Sequence, residues 1–124
     1  MRNRFETTMA AKSFAPFLVR CRQNGYRIGL IDIWLQSPEL AVARVAQRVS
    51  EGGHLVAEDV VRERYVRGLA NFFRVYRPIA DQWAFFDNTG ADPVLVAESA
   101  PDPGEKVLVP ATWARIKEML DGIA

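Results

Sequence analysis

The sequence predicts an α/β domain, on three observations. Two short segments, 26–35 and 83–86, are apolar enough to be buried strands; the stretches beside them carry apolar residues at helical spacing; and the tail reads as a hairpin followed by an amphipathic helix. The implied order is helix, strand, helix, helix, strand, hairpin, helix.

Ser13 ahead of Phe14-Ala15-Pro16 gives a cap and a first-turn proline, so a helix starts there and stops at Asn24-Gly25. YRIGLIDIWL at 26–35 is nearly continuous in apolarity, which suits a strand covered on both faces in a mostly parallel sheet. Ser37-Pro38-Glu39 supplies a cap, a first-turn proline and an acid at the positive end of the next helix, which Gly52-Gly53 ends. Val60, Val61, Tyr65, Leu69, Phe72, Phe73 and Tyr76 trace an apolar arc, predicting a helix over about 57–79 with Pro78 in its final turn. Trp83–Phe86 is a second strand, closed by the turn residues Asp87-Asn88-Thr89-Gly90. Segments 94–97 and 107–109 form a hairpin about Pro101-Asp102-Pro103-Gly104, and the chain closes with a helix through Trp113, Ile116, Met119 and Leu120.

A length of 124 residues suits one domain spanning 1–124, and 49% hydrophobic with 25% charged residues is ordinary globular usage. With 16 Lys and Arg against 15 Asp and Glu, no global field draws the chain to nucleic acid or a membrane surface, so any anion recognition is local. No aromatic platform is interleaved with the basic residues, which also argues against nucleic-acid binding. Cys21 is the sole cysteine and no apolar run is of membrane-spanning or signal length, so the expectation is a cytoplasmic protein.

Positive charge is concentrated at Arg44, Arg48, Arg62, Arg64 and Arg67, flanking Gly52-Gly53-His54. Guanidinium forks match phosphate oxygens well. On a helical wheel Arg62 falls inside the apolar arc, between Leu69 and Phe73, whereas Arg64 lies on the flank and Arg67 faces outward. Arg62 reads either as a phosphate contact shared with Arg64 and Arg48, or as a snorkelling or ion-paired side chain. Arg64 reads equally as part of a solvated stripe, and Arg48 as a cation at a helix C-terminus. His54, alone, cannot build a metal site. Asp32, inside an apolar strand, calls for a charged neighbour such as Arg27 or an edge open to water. Asp87 and Asn88 end a strand at the rim where α/β proteins bind ligands, although turn chemistry accounts for both equally well.

FETT at 5–8, GYRIGLIDIWL at 25–35, SPELAVARVAQRVSEGGHLVAEDVVRERYVRGLANFF at 37–73 and FFDNTG at 85–90 together resemble the later half of zeta toxin family P-loop kinases. The resemblance covers about residues 5–98. It implies a partial P-loop NTPase-like three-layer domain, with a parallel sheet, lid helices and a C-terminal hairpin plus helix. It further implies ATP with Mg2+ as phosphoryl donor, and as acceptor a nucleotide-sugar type of small molecule, a UDP-activated amino sugar in the best-known members. By the same resemblance Arg62, Arg64 and Arg48 are lid residues of catalytic type, and Glu6, Thr7 and Thr8 contact the acceptor; Asn88, from its place at the strand rim, is the cofactor-binding candidate. An antitoxin is an implied partner.

The sequence departs from that family in holding no GxxxxGK[ST] loop. That loop positions the phosphates, so the expectation is a fragment or shortened homologue that is inactive alone and binds a nucleotide or phosphorylated small molecule weakly. The alternative expectation is a non-catalytic interaction module that docks on a full-length kinase or antitoxin, or forms a homo-oligomer through the exposed edge of the 28–35 strand.

Overall fold

The computed structural model describes residues 11–53, 55–101 and 104–124. Glu6, Thr7, Thr8 and His54 lie outside the described residues, as do Asp102 and Pro103 of the expected turn. The fold is mixed α/β, with four α-helices and one four-stranded sheet.

Helix α1 (Ala15–Gln23) starts two residues after Ser13, and that serine is not its cap: Phe14 occupies the N-cap position without a side-chain hydrogen bond. Its end follows the sequence reading, with Gly25 at φ 90° and Asn24 Nδ2 donating to the Arg20 carbonyl at 2.7 Å. Strand β1 (Gly29–Trp34) follows, then α2 (Pro38–Ser50), whose Ser37 Oγ accepts from the Leu40 N–H at 3.2 Å, as Ser-Pro-Glu predicted. Helix α3 (Glu58–Asn71) passes into a π-helical turn, Phe72–Tyr76, rather than running on as one α-helix. Strands β2 (Gln82–Asp87), β3 (Val94–Ala100) and β4 (Gly104–Val107) lead to α4 (Pro110–Asp121).

The strands lie in the order β1-β2-β3-β4. Only β1 and β2 are parallel; β2–β3 and β3–β4 are antiparallel, so the expectation of a parallel sheet is corrected to a mixed one. The reason is connection length. Helices α2 and α3 carry the chain between β1 and β2, whereas only residues 88–93 separate β2 from β3, too few for a parallel crossover. A bulge at Val96 lets both Val96 and Ala97 lie fully buried.

One face of the sheet carries the core. Leu30 and Trp34 of β1 align with Trp83 and Asp87 of β2, and Phe85 lies between them. Over this face sits an aromatic cluster in which Phe72 meets Phe73, Trp83 and Phe85 at centroid distances of 5.1, 5.8 and 5.3 Å, while Trp113 of α4 stacks on Trp83 at 5.9 Å. These rings bury large apolar surfaces at the centre of the core, and burial of apolar surface is the main favourable term in folding. The opposite face differs from expectation: Ile31 and Ile33 are 61% and 53% exposed, so among the described residues β1 is covered on one side only. Its second edge is likewise unpaired among those residues.

Polar ties fix the ends of the elements. Arg74 Nη2 donates to the carbonyls of Leu120 and Ile123 at 3.2 and 2.9 Å, placing a cation at the C-terminus of α4. Glu105 of β4 accepts from Trp113 Nε1 and pairs with Arg77, both at 3.1 Å, which joins the hairpin to α4 and to the end of the π turn. None of the helices among the described residues is long and apolar enough to cross a membrane.

Candidate anion-binding cleft

Helices α2 and α3 pack on each other and, together with β1, line a cleft of about 530 Å³. Its floor is β1, from Ile31 through Leu35; its walls are one stripe of each helix. Arg44 and Arg48 lie four residues apart on the α2 stripe, and Val61, Arg64 and Gly68 succeed one another at three- and four-residue steps on α3, so each set projects to one side.

The five arginines separate into distinct roles. Arg44 Nη2 donates to the carbonyls of Asn88 and Thr89 at 3.0 and 3.1 Å and holds the loop after β2 against α2. Arg62 is not in the cleft: its Nη1 pairs with Glu39 of α2 at 3.1 Å and its Nε with Glu58 at 3.3 Å. Of its two sequence readings the structure displays the ion pair, which ties the two helices on their outer side. The Glu39 backbone N–H, then Arg62, holds the Glu39 carboxyl below its usual range, while Glu39 and Glu58 raise Arg62. Arg67 pairs with Glu63 at 3.1 Å on the exposed side. Arg48 and Arg64 remain. Both line the cleft and are exposed, and among the described residues neither guanidinium has a hydrogen bond or ion pair.

Between them the floor is polar at specific atoms. Asp32 faces the cleft rather than Arg27, and burial pushes its carboxyl up to about 7, with the Ile33 backbone N–H pulling the other way. Trp34 is only 5% exposed, and among the described residues its Nε1 is a buried donor with no hydrogen-bond partner. Tyr65 donates its hydroxyl to the Leu35 carbonyl at 2.6 Å; burial pushes the phenol up to about 12, against a smaller pull from the Trp34 indole beside it. That indole N–H lies beside the Tyr65 hydroxyl, yet no hydrogen bond from it meets the usual distance and angle limits among the described residues.

At the carboxyl ends of β1 and β2, Asp87 is a hub. Its Oδ1 accepts from the Thr89 N–H and hydroxyl at 3.0 and 2.6 Å, and its Oδ2 from Gln36 Nε2 at 3.0 Å. Burial alone would raise its pKa, but the Thr89 hydroxyl, the Gln36 amide and the Thr89 N–H together hold it below the usual range. Asn88 is engaged through its main chain, its N–H donating to the Trp34 carbonyl at 2.7 Å and its carbonyl accepting from Arg44.

The structure thus brings together Arg48 and Arg64 of the sequence candidates, sets Arg62 outside, and adds Asp32, Trp34 and Tyr65. Their signal was present in the spacing: Asp32 and Trp34 alternate on a strand and so must share a face. Among the described residues no group of three or more His, Cys, Asp or Glu side chains could hold a metal ion.

No family model matches the chain, and no solved structure matches it. An uncharacterized protein of Haemophilus influenzae (strain ATCC 51907 / DSM 11121 / KW20 / Rd) is 35% identical over 60 residues, a stretch that makes up 48% of this chain and 43% of that protein. The match spans less than half of either chain.

Proposed function

We propose that this chain forms the acceptor-side and lid half of a zeta toxin-like P-loop kinase domain, and binds the phosphates of a nucleotide or phosphorylated small molecule through Arg48 and Arg64. The observation that carries the reading is a pair of guanidiniums that, among the described residues, have no partner and line one cleft beside a parallel strand whose second edge is unpaired among those residues. Among the described residues the two cations have no internal partner, and planar donors in a recess suit phosphate oxygens. The order of elements supports it too, since the quoted motifs fall on β1, α2, α3 and β2 in sequence.

In this reading α2 and α3 are the lid, and their arginines neutralise charge on a phosphate bound below them. The residues fit the anionic part of ATP, and Mg2+ would come with the nucleotide. Arg62 joins only by releasing Glu39 and Glu58, so it positions the helices in the unliganded state. Transfer of the phosphoryl group requires a phosphate-cradling loop, which this sequence does not contain.

Thermal melting with and without ATP tests the proposal. ATP raises the Tm of the chain, the Arg48→Ala/Arg64→Ala double variant loses that rise, and Arg62→Ala retains most of it. A rise that survives the double change, or no rise in the unaltered chain, refutes the assignment.

A second reading, self-association, is favoured by one observation: Ile31 and Ile33 are exposed on β1, whose second edge is unpaired among the described residues. Such an edge is a template for pairing. Sedimentation at rising concentration should show a dimer that Ile33→Lys abolishes; a concentration-independent monomer rules it out.

A further inference from the structure

Strand β1 turns half of its main-chain groups away from the rest of the sheet. Toward β2, the carbonyls of Ile28 and Trp34 accept from the N–H groups of Gln82 and Asn88 at 3.1 and 2.7 Å. Successive residues of a strand aim their N–H and C=O groups to opposite sides, so Ile31 and Ile33, out of step with that pair, aim theirs at the second edge. This edge has no neighbouring strand among the described residues, and residues 31–35 border the cleft that α2 and α3 also line. Two of its groups are engaged: the Leu35 carbonyl accepts from the Tyr65 hydroxyl at 2.6 Å, and the Ile33 N–H lies against the Asp32 carboxyl. The Ile31 N–H and the carbonyls of Ile31 and Ile33 have no hydrogen bond among the described residues.

A strand laid along this edge, about 4.8 Å from β1, sends alternate side chains to the two faces of the sheet. On the face of Asp32 they enter the cleft, where α2 and α3 offer apolar Ala41, Val45 and Val61 beside the guanidiniums of Arg48 and Arg64. On the other face they continue the row of Ile31 and Ile33, both exposed. Helix α2 has room for further cover, since none of its 13 residues is buried. We infer that the cleft takes an extended acidic segment of a partner protein, which adds a strand to β1, lays apolar side chains beside Ile31 and Ile33, and sets a side-chain carboxylate against Arg48 and Arg64. Strand addition draws affinity from the main chain and specificity from alternate side chains. Charge selects the class of segment: among the described residues both guanidiniums lack a partner, and a carboxylate matches their donor fork, whereas a neutral or basic segment leaves them unpaired. This goes beyond the phosphate reading and shares with it only the two arginines.

The test selects a phage-displayed library of random short peptides on the full chain, with Arg48→Glu/Arg64→Glu as counter-target. Enriched peptides alternate apolar residues and carry an acid. A synthetic copy, acetylated and amidated so that its only carboxylates are side chains, binds the parent at least about tenfold more tightly than the variant. Hydrogen exchange followed by NMR finds the Ile31 amide unprotected in the dilute free chain and protected in the complex. N-methylation of the peptide residues whose N–H groups face β1 weakens binding at least about tenfold, and of the residues between them less than about threefold. The inference is overturned by a selection that enriches nothing over the counter-target, by peptides with helical rather than alternating spacing, by an Ile31 amide already protected in the free monomer, or by equal effects of the two N-methylated peptides. The two earlier readings fail separately: phosphate binding in the ATP melts of Arg48→Ala/Arg64→Ala, and self-association in a free chain that sediments as a monomer at every concentration.

Discussion

Replacing Asp32 by Asn isolates the electrostatic cost of a carboxyl on the cleft floor. Burial lifts this acid from 3.8 to about 7 in the folded chain. At about 1.4 kcal/mol per pH unit, a difference of roughly three units costs on the order of 4 kcal/mol once the group is ionised in both states. Asp32 keeps part of its surface open to the cleft, so solvent reduces this figure and about 2 kcal/mol is the working expectation. The sign follows from proton counting. Below 3.8 the acid is protonated folded and unfolded, and there is no cost. Between 3.8 and about 7 the folded chain holds a proton that the unfolded chain has released, so stability falls as pH rises, and above that window the whole cost is present. Asn cannot ionise. The variant should therefore be more stable than the parent by about 2 kcal/mol near pH 8 and close to it near pH 4, a Tm gain of roughly 6–10 °C confined to the higher pH. Urea and thermal unfolding of both proteins at the two pH values measure it, and the comparison cancels groups common to both. Equal gains at both pH values, or a loss at the higher one, would refute the reasoning.

Asp87 works in the opposite sense. Its folded pKa is depressed, so its contribution is present above about pH 4 and is lost on acidification; Asp87→Ala should cost about 1–3 kcal/mol near neutrality by stripping Gln36 and Thr89 of their acceptor, read by urea denaturation. Phe72→Ala removes a ring with 0% exposure from the centre of the aromatic cluster and should cost about 3–5 kcal/mol, measured as a shift of the denaturation midpoint without loss of slope. Gly53→Ala would place a Cβ 2.8 Å from the Arg48 carbonyl oxygen, a backbone atom that must move, and should cost about 1–3 kcal/mol by the same assay.

The elements that could be read from sequence were those with local causes. Ser37-Pro38-Glu39 opens α2 because the serine oxygen and the proline ring act within one turn, and Gly25 and Gly52 end helices because their φ values of 90° and 97° suit glycine alone. The sheet was harder. Continuous apolarity at 28–35 fits a strand buried on both faces, but what covers Ile31 and Ile33 is a matter of tertiary partners, which pattern does not encode. The site divides in the same way. Arg48 and Arg64 reach the cleft as members of helical stripes, whereas the place of Arg62 depended on Glu39, a residue 23 positions away in another helix. Trp34 was legible as core, and only packing could reveal that its N–H is buried beside Tyr65 with no hydrogen bond of ordinary geometry among the described residues.

The π-helical turn at Phe72–Tyr76 has a consequence for length variation in this chain. Because the Arg77 N–H reaches back five residues to the Phe72 carbonyl at 2.7 Å, the segment holds one residue more than an α-helical path would need. Deleting one, Val75 for instance, would let the α-helix close without a gap, yet would rotate everything beyond it by about 100°. Arg77 now lies 4.7 Å over the Phe73 ring and pairs with Glu105; after the deletion it would swing away from both. A helix interior is ordinarily the worst place to lose a residue. Here the hydrogen-bond ladder would tolerate it, and the damage would fall instead on the grip between this helix and the β3–β4 hairpin.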